Sequence, residues 1–277
     1  MNNILAIIVT YNRLECLKDC IGALENQTYK EFDILVIDNG STDGTKEFID
    51  SRGDILKIHQ ANLGGAGGFY AGMKYMYEHN YDWLWMMDDD GMPEKRQLEN
   101  LIKYGEKGYL VLNAFVLNKD DHTRLAFGKM EHASVYKEEI TDKLFLPFNG
   151  TFIHRSVIEK VGYIKKEMFI WGDEQEYRRR MIAYGYTPMT VTSAIHYHPQ
   201  EKGKKLSILP FYKGKFIWDK PKHLSWIYYR NLGYISKTYG LRRQRLYHII
   251  AFAWRLRCGE IYKFCKYYQR GRNNIFD

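Results

Sequence analysis

Apolar residues follow two alternating patterns along the first part of the chain. Ile4–Thr10 is a continuous apolar, β-branched run, whereas residues 14–27 carry apolar side chains at helical spacing. Such alternation predicts an α/β fold with a mainly parallel sheet flanked by helices. The pattern predicts strands at residues 4–10, 34–37, 55–59 and 83–87, and helices at residues 14–27, 42–51 and 68–79.

The pattern is less regular after residue 117. It predicts strands at residues 109–117 and 189–197 with a helix at residues 173–184 between them. Near the C-terminus, apolar residues share a helical face surrounded by Lys and Arg, which predicts a pair of basic amphipathic helices. The residues predicted on that face are Leu246, Ile249, Ile250, Ala253, Leu256, Ile261, Phe264, Cys265 and Tyr268.

The distribution of charge predicts a domain boundary. The 277 residues are 45% hydrophobic and carry a net charge of +8, a globular composition that excludes disordered and collagen-like classes. Residues 202–277 contain 18 Lys and Arg against 3 Asp and Glu, whereas residues 1–201 contain 23 against 30. We therefore expect a domain at residues 1–201, a basic helical module at residues 202–277 and an anionic partner for that module.

Targeting and redox features favour a cytoplasmic protein. The N-terminal apolar run is short and has no basic residues before it, so it predicts a buried strand rather than a signal peptide. Every apolar stretch is shorter than the ~18–20 residues that a membrane helix requires. The four cysteines show no CxxC spacing, which favours reduced thiols.

Three successive carboxylates, Asp88, Asp89 and Asp90, directly follow the fourth predicted strand. In an extended segment, residues two apart point to the same side, so Asp88 and Asp90 can converge on one hard divalent cation. The alternative is a solvated acidic turn at Asp90-Gly91, with Pro93 beginning a helix.

A glycine-rich segment, NLGGAGGF, begins at Asn62 and contains Gly64, Gly65, Gly67 and Gly68 between a predicted strand and a predicted helix. Backbone without side chains lets a ligand approach closely, and the start of a helix favours an anion. The spacing is not that of a dinucleotide-binding GxGxxG motif. The alternative is that these glycines only permit tight packing of the helix.

The first two predicted strands end in polar loops, TYNR from Thr10 and DNGSTDG from Asp38. Parallel strands place such loops at one edge of a sheet, where a nucleotide can bind. As alternatives, Ser41 or Thr42 caps a helix and the Asp-Asn-Gly segment only turns the chain.

Two further segments contain residues that could take part in catalysis or bind a metal. FIWGDEQEY places Asp173 and Glu174 beside Trp171 at the start of a predicted helix, where acidic residues are also common for electrostatic reasons. AIHYHP places His196 and His198 on one strand face, as candidate metal ligands or as structural histidines.

Taken in this order, the motifs resemble those of family 2 glycosyltransferases of the GT-A fold, a Rossmann-like α/β fold. NLGGAGGF, MDDDG, FNGTFIHR, FIWGDEQEY and YYRN (residues 228–231) are similar in particular to galactofuranosyltransferases and to rhamnosyltransferase-like relatives.

The resemblance implies a role for each motif. Asp88 and Asp90 would bind Mn²⁺ or Mg²⁺ with His198, or with His196 in its place, and Glu174 would be the catalytic base, with Asp173 as its neighbour in the pair. Trp171, Asn149 and Gly150 would contact the acceptor. The residues implied for the nucleotide-sugar donor are Thr10, Tyr11, Asn12, Arg13, Asp38, Asn39, Asn62, Gly65, Gly67, Gly68, Asp88 and Asp89.

The resulting expectation is an inverting, metal-dependent transfer from UDP-galactofuranose to a cell-surface polysaccharide or lipid-linked glycan. The basic module would dock the enzyme on the inner, anionic face of the cell membrane. Transfer from dTDP-rhamnose is the nearest alternative. A metal-dependent nucleotidyltransferase or phosphatase, and a non-enzymatic protein that binds nucleic acid or a membrane surface, are weaker alternatives, and we expect no nucleic-acid partner.

Overall fold

The computed structural model describes residues 3–127, 131–144, 148–200, 203–210, 215–241 and 243–276. The chain forms two compact units, one made of Met1–Lys166 with Arg180–Glu201 and the other of Glu167–Arg179 with Lys202–Asp277. The second unit combines the segment from Lys202 onwards with residues 167–179, which the sequence prediction placed in the first domain.

The first unit is built on one mixed sheet flanked by helices. Its strands are β1 Ile4–Thr10, β2 Asp33–Asp38, β3 Leu56–His59, β4 Trp83–Asp88, β5 Met92–Pro93, β6 Val111–Asn118, β7 Ile140–Thr141, β8 Thr151–His154 and β9 Met189–His198. Its helices are α1 Leu14–Glu25, α2 Thr45–Ser51, α3 Gly64–Glu78, α4 Gln97–Gly105 and α5 Arg155–Val161, with 3₁₀ turns at Ala133–Val135 and Lys166–Met168. Helix α6, Asp173–Ala183, begins in the second unit and ends in the first.

The strand order is β3-β2-β1-β4-β8-β6-β9-β5, with β7 paired to β9. Strands β3, β2, β1 and β4 are parallel, and β6 is parallel to β9, which confirms the predicted α/β class. Strand β8 is antiparallel to both of its neighbours, and no periodic signal in the sequence predicted it. In this register Thr10 lies opposite Asp38, and Val9 lies opposite Asp88. The carboxyl ends of β1, β2 and β4 therefore meet at one edge.

Helix α3 packs unusually close to β1. A Cβ atom at Gly68 would lie 2.3 Å from Val9 Cγ1, and one at Gly72 would lie 2.4 Å from Ile7 Cδ1. Only glycine fits such contacts, since real Cβ atoms do not approach that closely. The helix begins at Gly64 rather than at residue 68 as predicted, so the glycine-rich segment forms its first turns.

The acidic turn is followed by a strand and not by a helix. Met92 and Pro93 form β5, which pairs with β9 through Tyr197 and His196, and α4 begins only at Gln97. Pro93 is tolerated because β5 is the terminal strand of the sheet. The alternative in which Pro93 begins a helix is therefore wrong. The pairing brings the residues after Asp90 beside the histidines of β9.

Within its described residues, the second unit contains an antiparallel pair of strands and three helices besides the first part of α6, where the sequence predicted one pair of helices. Its elements are β10 Lys204–Ser207, β11 Phe216–Asp219, α7 Ser225–Thr238, α8 Arg243–Ala253 and α9 Cys258–Arg272.

The core of the second unit differs in part from the predicted apolar face. Phe252, Phe264 and Tyr268 are buried together. Leu246 and Leu256, which were predicted on the apolar face, are instead 55% and 85% exposed. Residues of α7 pack on Phe252, Phe264 and Tyr268, whereas Leu256 lies in the turn between α8 and α9.

Candidate active site

The loops after β1 and β2 are held together by hydrogen bonds at the sheet edge. Asn39 N donates to Thr10 O at 3.0 Å, and Thr10 Oγ1 donates to Asp89 Oδ2 at 2.7 Å. Asp38 is buried, where its Oδ1 accepts from Ser41 N at 2.9 Å and its Oδ2 lies 3.0 Å from His59 Nδ1. Asp38 thus fixes the shape of the loop that follows β2.

Asn12 joins the two loops into one structure. It adopts a left-handed conformation with φ of 53°, which asparagine tolerates better than most residues. Its Oδ1 accepts from Thr42 N at 2.7 Å, and its N donates to Ser41 Oγ at 2.9 Å. The neighbouring side chain of Tyr11 is 46% exposed, so it is accessible to a ligand.

The glycines of α3 divide into two groups. Packing accounts for Gly68, as described above, and for Gly67, where a Cβ atom would lie 2.3 Å from Leu63 Cβ. At Gly65 a Cβ atom would meet no atom within 4 Å, so packing does not explain this glycine. The first turn is fixed by Asn62 Oδ1, which accepts from Gly64 N at 2.9 Å. Gly65 therefore leaves backbone accessible near the positive end of the helix.

Asp90 lies between two basic side chains in the acidic turn. Its Oδ2 is 2.6 Å from a guanidinium nitrogen of Arg13, and its Oδ1 is 3.0 Å from His198 Nε2. Burial alone would raise the pKa of Asp90, but His198 and Arg13 outweigh it and lower the pKa to about 2. Asp89 differs, because burial raises its pKa to about 6 despite its contacts with Thr10 and Arg13.

The structure brings His198, and not His196, to Asp90. His198 Nδ1 lies 2.6 Å from Pro199 O, so Nδ1 carries the hydrogen and Nε2 faces Asp90. His196 is fully buried, with its Nδ1 3.1 Å from Gln97 Oε1. Burial lowers the pKa of His196 to about 3, so this imidazole is neutral.

The Asp90–His198 pair offers a carboxylate oxygen and an imidazole nitrogen, which are ligand types that a divalent cation such as Mn²⁺ accepts. At 3.0 Å the two atoms contact each other directly, so a cation would replace that contact. The Pro199 carbonyl orients the imidazole as metal-bound histidines require. Within the described ranges, however, no three His, Cys, Asp or Glu residues are grouped so as to hold a metal. The role of Asp88 as a further ligand stays a prediction.

Asn149 and Gly150, the predicted acceptor contacts, do not reach an accessible surface. Asn149 is fully buried, and a Cβ atom at Gly91 would meet both Asn149 Oδ1 at 2.8 Å and His196 Nε2 at 2.2 Å. Gly150 has φ of +82°, and a Cβ atom there would lie 2.0 Å from Gln97 Nε2. These residues support the acidic turn from behind. Sequence reasoning missed Gln97, for which no local signal exists.

In the second unit, the loop before α6 is strained and is held by α7. Phe169 and Trp171 both have φ of 63°, in the left-handed region that non-glycine residues avoid. Asn231 Nδ2 lies 2.8 Å from Met168 O and 2.9 Å from Trp171 O. The buried Arg230 donates to Glu167 O at 2.9 Å. These contacts explain why residues 167–179 belong to this unit and what the YYRN motif does.

The two adjacent acids at the start of α6 lie in different environments. Asp173 is buried, which raises its pKa to about 6. Glu174 is partly exposed and, with Trp171, lines a cavity of the second unit. Glu174 is therefore the member of the pair that a ligand in this cavity can reach.

Comparison with known proteins identifies the family. Residues 5–162 match the family model described as "Glycosyl transferase family 2". The chain belongs to this family. It is 32% identical over 269 residues to galactofuranosyltransferase GlfT1 of Mycobacterium tuberculosis, covering 91% of this chain and 88% of the relative. GlfT1 of Mycolicibacterium smegmatis is 28% identical over 270 residues, covering 90% of this chain and 88% of the relative.

Solved structures of glycosyltransferases share the fold. The mannosyltransferase PcManGT from Pyrobaculum calidifontis, in complex with GDP-Man and Mn²⁺, superposes with a TM-score of 0.58 at 14% identity, covering 96% of this chain and 73% of that one. TarS 1-349 of S. aureus with UDP-GlcNAc gives 0.60 at 14% identity, covering 98% and 92%. The predicted GT-A fold is confirmed, and this family 2 chain is a glycosyltransferase, which excludes the non-enzymatic alternative.

Proposed function

We propose that this glycosyltransferase transfers galactofuranose from UDP-galactofuranose, with inversion, to a cell-surface polysaccharide or lipid-linked glycan. The observation that supports this donor is the 32% identity to a galactofuranosyltransferase over nine-tenths of the chain. Dependence on a divalent cation is supported by the Asp90–His198 pair and by the Mn²⁺ bound in a structural neighbour.

The donor would bind at the edge where β1, β2 and β4 end. Thr10 and Asp38 are proposed to shape the site for uracil and ribose, and the exposed ring of Tyr11 offers a stacking surface. Arg13 and the backbone at Gly65 would hold the diphosphate, because a guanidinium and the start of a helix both favour phosphate. The remaining proposed donor contacts are Asn12, Asn39, Asn62, Gly67, Gly68, Asp88 and Asp89.

Asp90 and His198 would hold Mn²⁺ or Mg²⁺, with Asp88 as the proposed further ligand. When bound, the ion would neutralise charge that develops on the departing diphosphate. Arg13 would add a second positive charge, since its ion pairs with Asp89 and Asp90 already place it at this turn.

Glu174 is proposed as the general base. An inverting transfer requires that the acceptor hydroxyl lose its proton on the face opposite the departing nucleotide, and a carboxylate that a ligand can reach is able to accept it. Asp173 is buried and holds the start of α6, so it would support the base rather than act as one. Trp171 would present an apolar surface to the acceptor.

The basic module is proposed to dock on the anionic, cytoplasmic face of the cell membrane. Residues 202–277 carry the excess of 18 basic over 3 acidic residues, and large apolar side chains are exposed on this unit. Across the part of the chain that the structure describes, no helix is long and apolar enough to cross a bilayer.

A donor panel tests the proposed reaction. Purified protein with Mn²⁺ and a galactose-terminated acceptor would be given UDP-galactofuranose, UDP-galactopyranose or dTDP-rhamnose, and nucleotide release would be measured. We expect release to be fastest with UDP-galactofuranose and to be lost when the metal is chelated. Equal release from UDP-galactopyranose would contradict the assigned donor, and faster release from dTDP-rhamnose would support the rhamnosyl alternative.

A further inference from the structure

The loop at residues 168–172 ends two residues before Glu174, the proposed base, and its backbone is strained. Phe169 and Trp171 both have φ of 63°, and Gly172 has φ of 100°. Residues other than glycine keep such a conformation only where surrounding contacts hold them in it. The contacts made by this loop therefore determine the position of the chain that leads into α6.

Asn231 of α7 holds the loop through its side-chain amide. Its Nδ2 donates towards three carbonyl oxygens of the loop, those of Met168 at 2.8 Å, Ile170 at 3.1 Å and Trp171 at 2.9 Å. An amide nitrogen carries two hydrogens, so the three carbonyls share them. Asn231 is fully buried, so removal of its amide would leave these carbonyls without that donor.

Arg230 fixes the orientation of this amide. Its Nε and a terminal nitrogen lie 3.2 and 3.1 Å from Asn231 Oδ1, an oxygen that accepts hydrogen bonds and cannot donate them. The same guanidinium donates to Glu167 O at 2.9 Å. The amide nitrogen of Asn231 is therefore the atom that faces the loop carbonyls.

The loop is joined directly to the first turn of α6, which carries Glu174. Glu176 N donates to Gly172 O at 2.8 Å, and this hydrogen bond closes the turn. A Cβ atom at Gly172 would lie 3.1 Å from Ile235 Cδ1 and 3.5 Å from Asn231 Cβ, so the turn begins in contact with α7. A displacement of the loop would therefore move the first turn of α6.

A second contact ties the same turn to the end of α7. The hydroxyl of Tyr239, the residue that follows α7, donates to Glu176 Oε1 at 3.0 Å. Glu174 thus lies between two attachments to α7, one formed by Asn231 before it and one formed by Tyr239 after it. Its own side chain is partly exposed, so its position depends on these attachments of the backbone.

We infer that Asn231 is a positioning residue for glycosyl transfer, because by holding the strained loop it fixes where α6 begins and where the carboxylate of Glu174 lies. Tyr239 supports the same turn from its other end. The inference rests on the proposed function, since Glu174 is the proposed base. It gives the YYRN motif a part in transfer, although Asn231 is too deeply buried to contact a substrate.

Asn231→Ala removes the amide and tests this role. We expect kcat for transfer to fall by about 100-fold, because a displacement of about 1 Å at a reacting group costs that much. The KM for UDP-galactofuranose should stay within about threefold of the wild-type value, since a change in kcat alone indicates an interaction that acts in the transition state.

Tyr239→Phe is the milder variant, because it removes only the hydroxyl that bonds to Glu176, and it should lower kcat by about threefold to tenfold. If Asn231→Ala does not fold, this variant decides the outcome. Tyr229→Phe is the matched control. Tyr229 is buried on the same helix, but its hydroxyl donates to Glu260 of α9 at 2.9 Å and not to the loop, so kcat should be unchanged.

Hydrogen exchange, measured by mass spectrometry without donor or acceptor, follows the loop itself. Amides at residues 169–176 should exchange at least about tenfold faster in Asn231→Ala than in the wild type, because local opening becomes easier. Tyr229→Phe should leave their exchange unchanged. Equal exchange in Asn231→Ala would show that the amide does not hold the loop and would overturn the inference.

Two outcomes separate the inference from the proposed function. Faster exchange with unchanged kcat in both Asn231→Ala and Tyr239→Phe would overturn the inference and make Asn231 a structural residue, whatever the donor. Faster UDP release from another UDP-sugar would reject the proposed donor, and a loss of kcat with that sugar in Asn231→Ala would still support the inference.

Discussion

At the residue scale, the adjacent acids Asp173 and Glu174 are expected to differ in their effect on transfer when each is replaced by its amide. We predict that Glu174→Gln keeps its affinity for UDP-sugar but loses transfer by at least about 100-fold, because an amide cannot accept the acceptor's proton. Asp173→Asn is the matched control and should retain most transfer. Single-turnover transfer with calorimetry of UDP binding would check this, and an inactive Asp173→Asn beside an active Glu174→Gln would move the base to Asp173.

Asp173 should instead contribute to the pH dependence of the free energy of unfolding. Burial raises its pKa from 3.8 to about 6, so protonation favours the folded state. The stability this contributes is complete below the unfolded pKa near 3.8 and is lost as pH rises through about 6.

We therefore predict that Asp173→Asn is more stable than the wild type above pH 7, because the buried carboxylate is charged there and the amide is not. The two proteins should be nearly equal at pH 4. Denaturant unfolding from pH 4 to pH 8 measures this, and a difference that does not grow with pH would contradict it.

The two histidines of β9 give a third test at this scale. We predict that His198→Ala lowers the Mn²⁺ affinity of the UDP complex at least about tenfold, because it removes an oriented nitrogen donor beside Asp90. His196→Ala should lower the unfolding temperature instead and keep the affinity. Mn²⁺ titration in the presence of UDP measures both, and loss of affinity only in the His196 variant would reverse the assignment.

At the element scale, substitutions in α3 can distinguish whether each glycine is required for packing or for ligand binding. We predict that Gly68→Ala destabilises the protein by about 1–3 kcal/mol, because its Cβ overlaps Val9. Gly65→Ala meets open space and replaces a poor helix former, so it should be neutral or up to about 1 kcal/mol stabilising.

The same Gly65→Ala variant should bind UDP less tightly, because its methyl group would obstruct the close approach of phosphate. Chemical unfolding and UDP calorimetry on both variants measure the two effects. Unchanged UDP affinity in Gly65→Ala would show that phosphate does not approach the backbone at Gly65.

The sequence predicted the elements whose signals are local. Strands β1 and β4 were placed within a residue or two because they are continuous apolar runs between polar loops. The start of α3 was missed because glycines are typical of loops, whereas here contacts with Val9 and Ile7 determine the helix. The pairing of β5 with β9 joins residues about a hundred positions apart, and local patterns do not contain that information.

The residues of the candidate site were likewise predictable only where the sequence carries a local signal. Asp90 and His198 were found from their residue types and order, and the structure brings them together. Gln97, which lies beside His196, was missed because an isolated glutamine gives no signal. The YYRN motif was recognised, but its contacts with the strained loop at Trp171 depend on packing of α7 within the second unit.

At the scale of the whole molecule, charge and exposed apolar surface are unevenly distributed. The turn between α8 and α9 carries Leu256, which is 85% exposed, and α9 carries Tyr262, which is 72% exposed. Both lie in the part of the chain that has 18 basic and 3 acidic residues. Apolar side chains beside basic ones are typical of surfaces that bind the interface of an anionic bilayer.

We predict that the protein floats with vesicles containing anionic lipid at low salt and releases at high salt, because each basic residue near such a surface contributes about 1 kcal/mol that salt screens. Leu256→Glu with Tyr262→Glu should reduce the bound fraction several-fold, since it replaces inserted apolar surface with negative charge. Val135→Glu, at a position 64% exposed in the first unit, is the matched control and should bind as the wild type does. Absence of flotation at low salt, or flotation of the double variant equal to that of the wild type, would contradict docking of this surface on an anionic membrane.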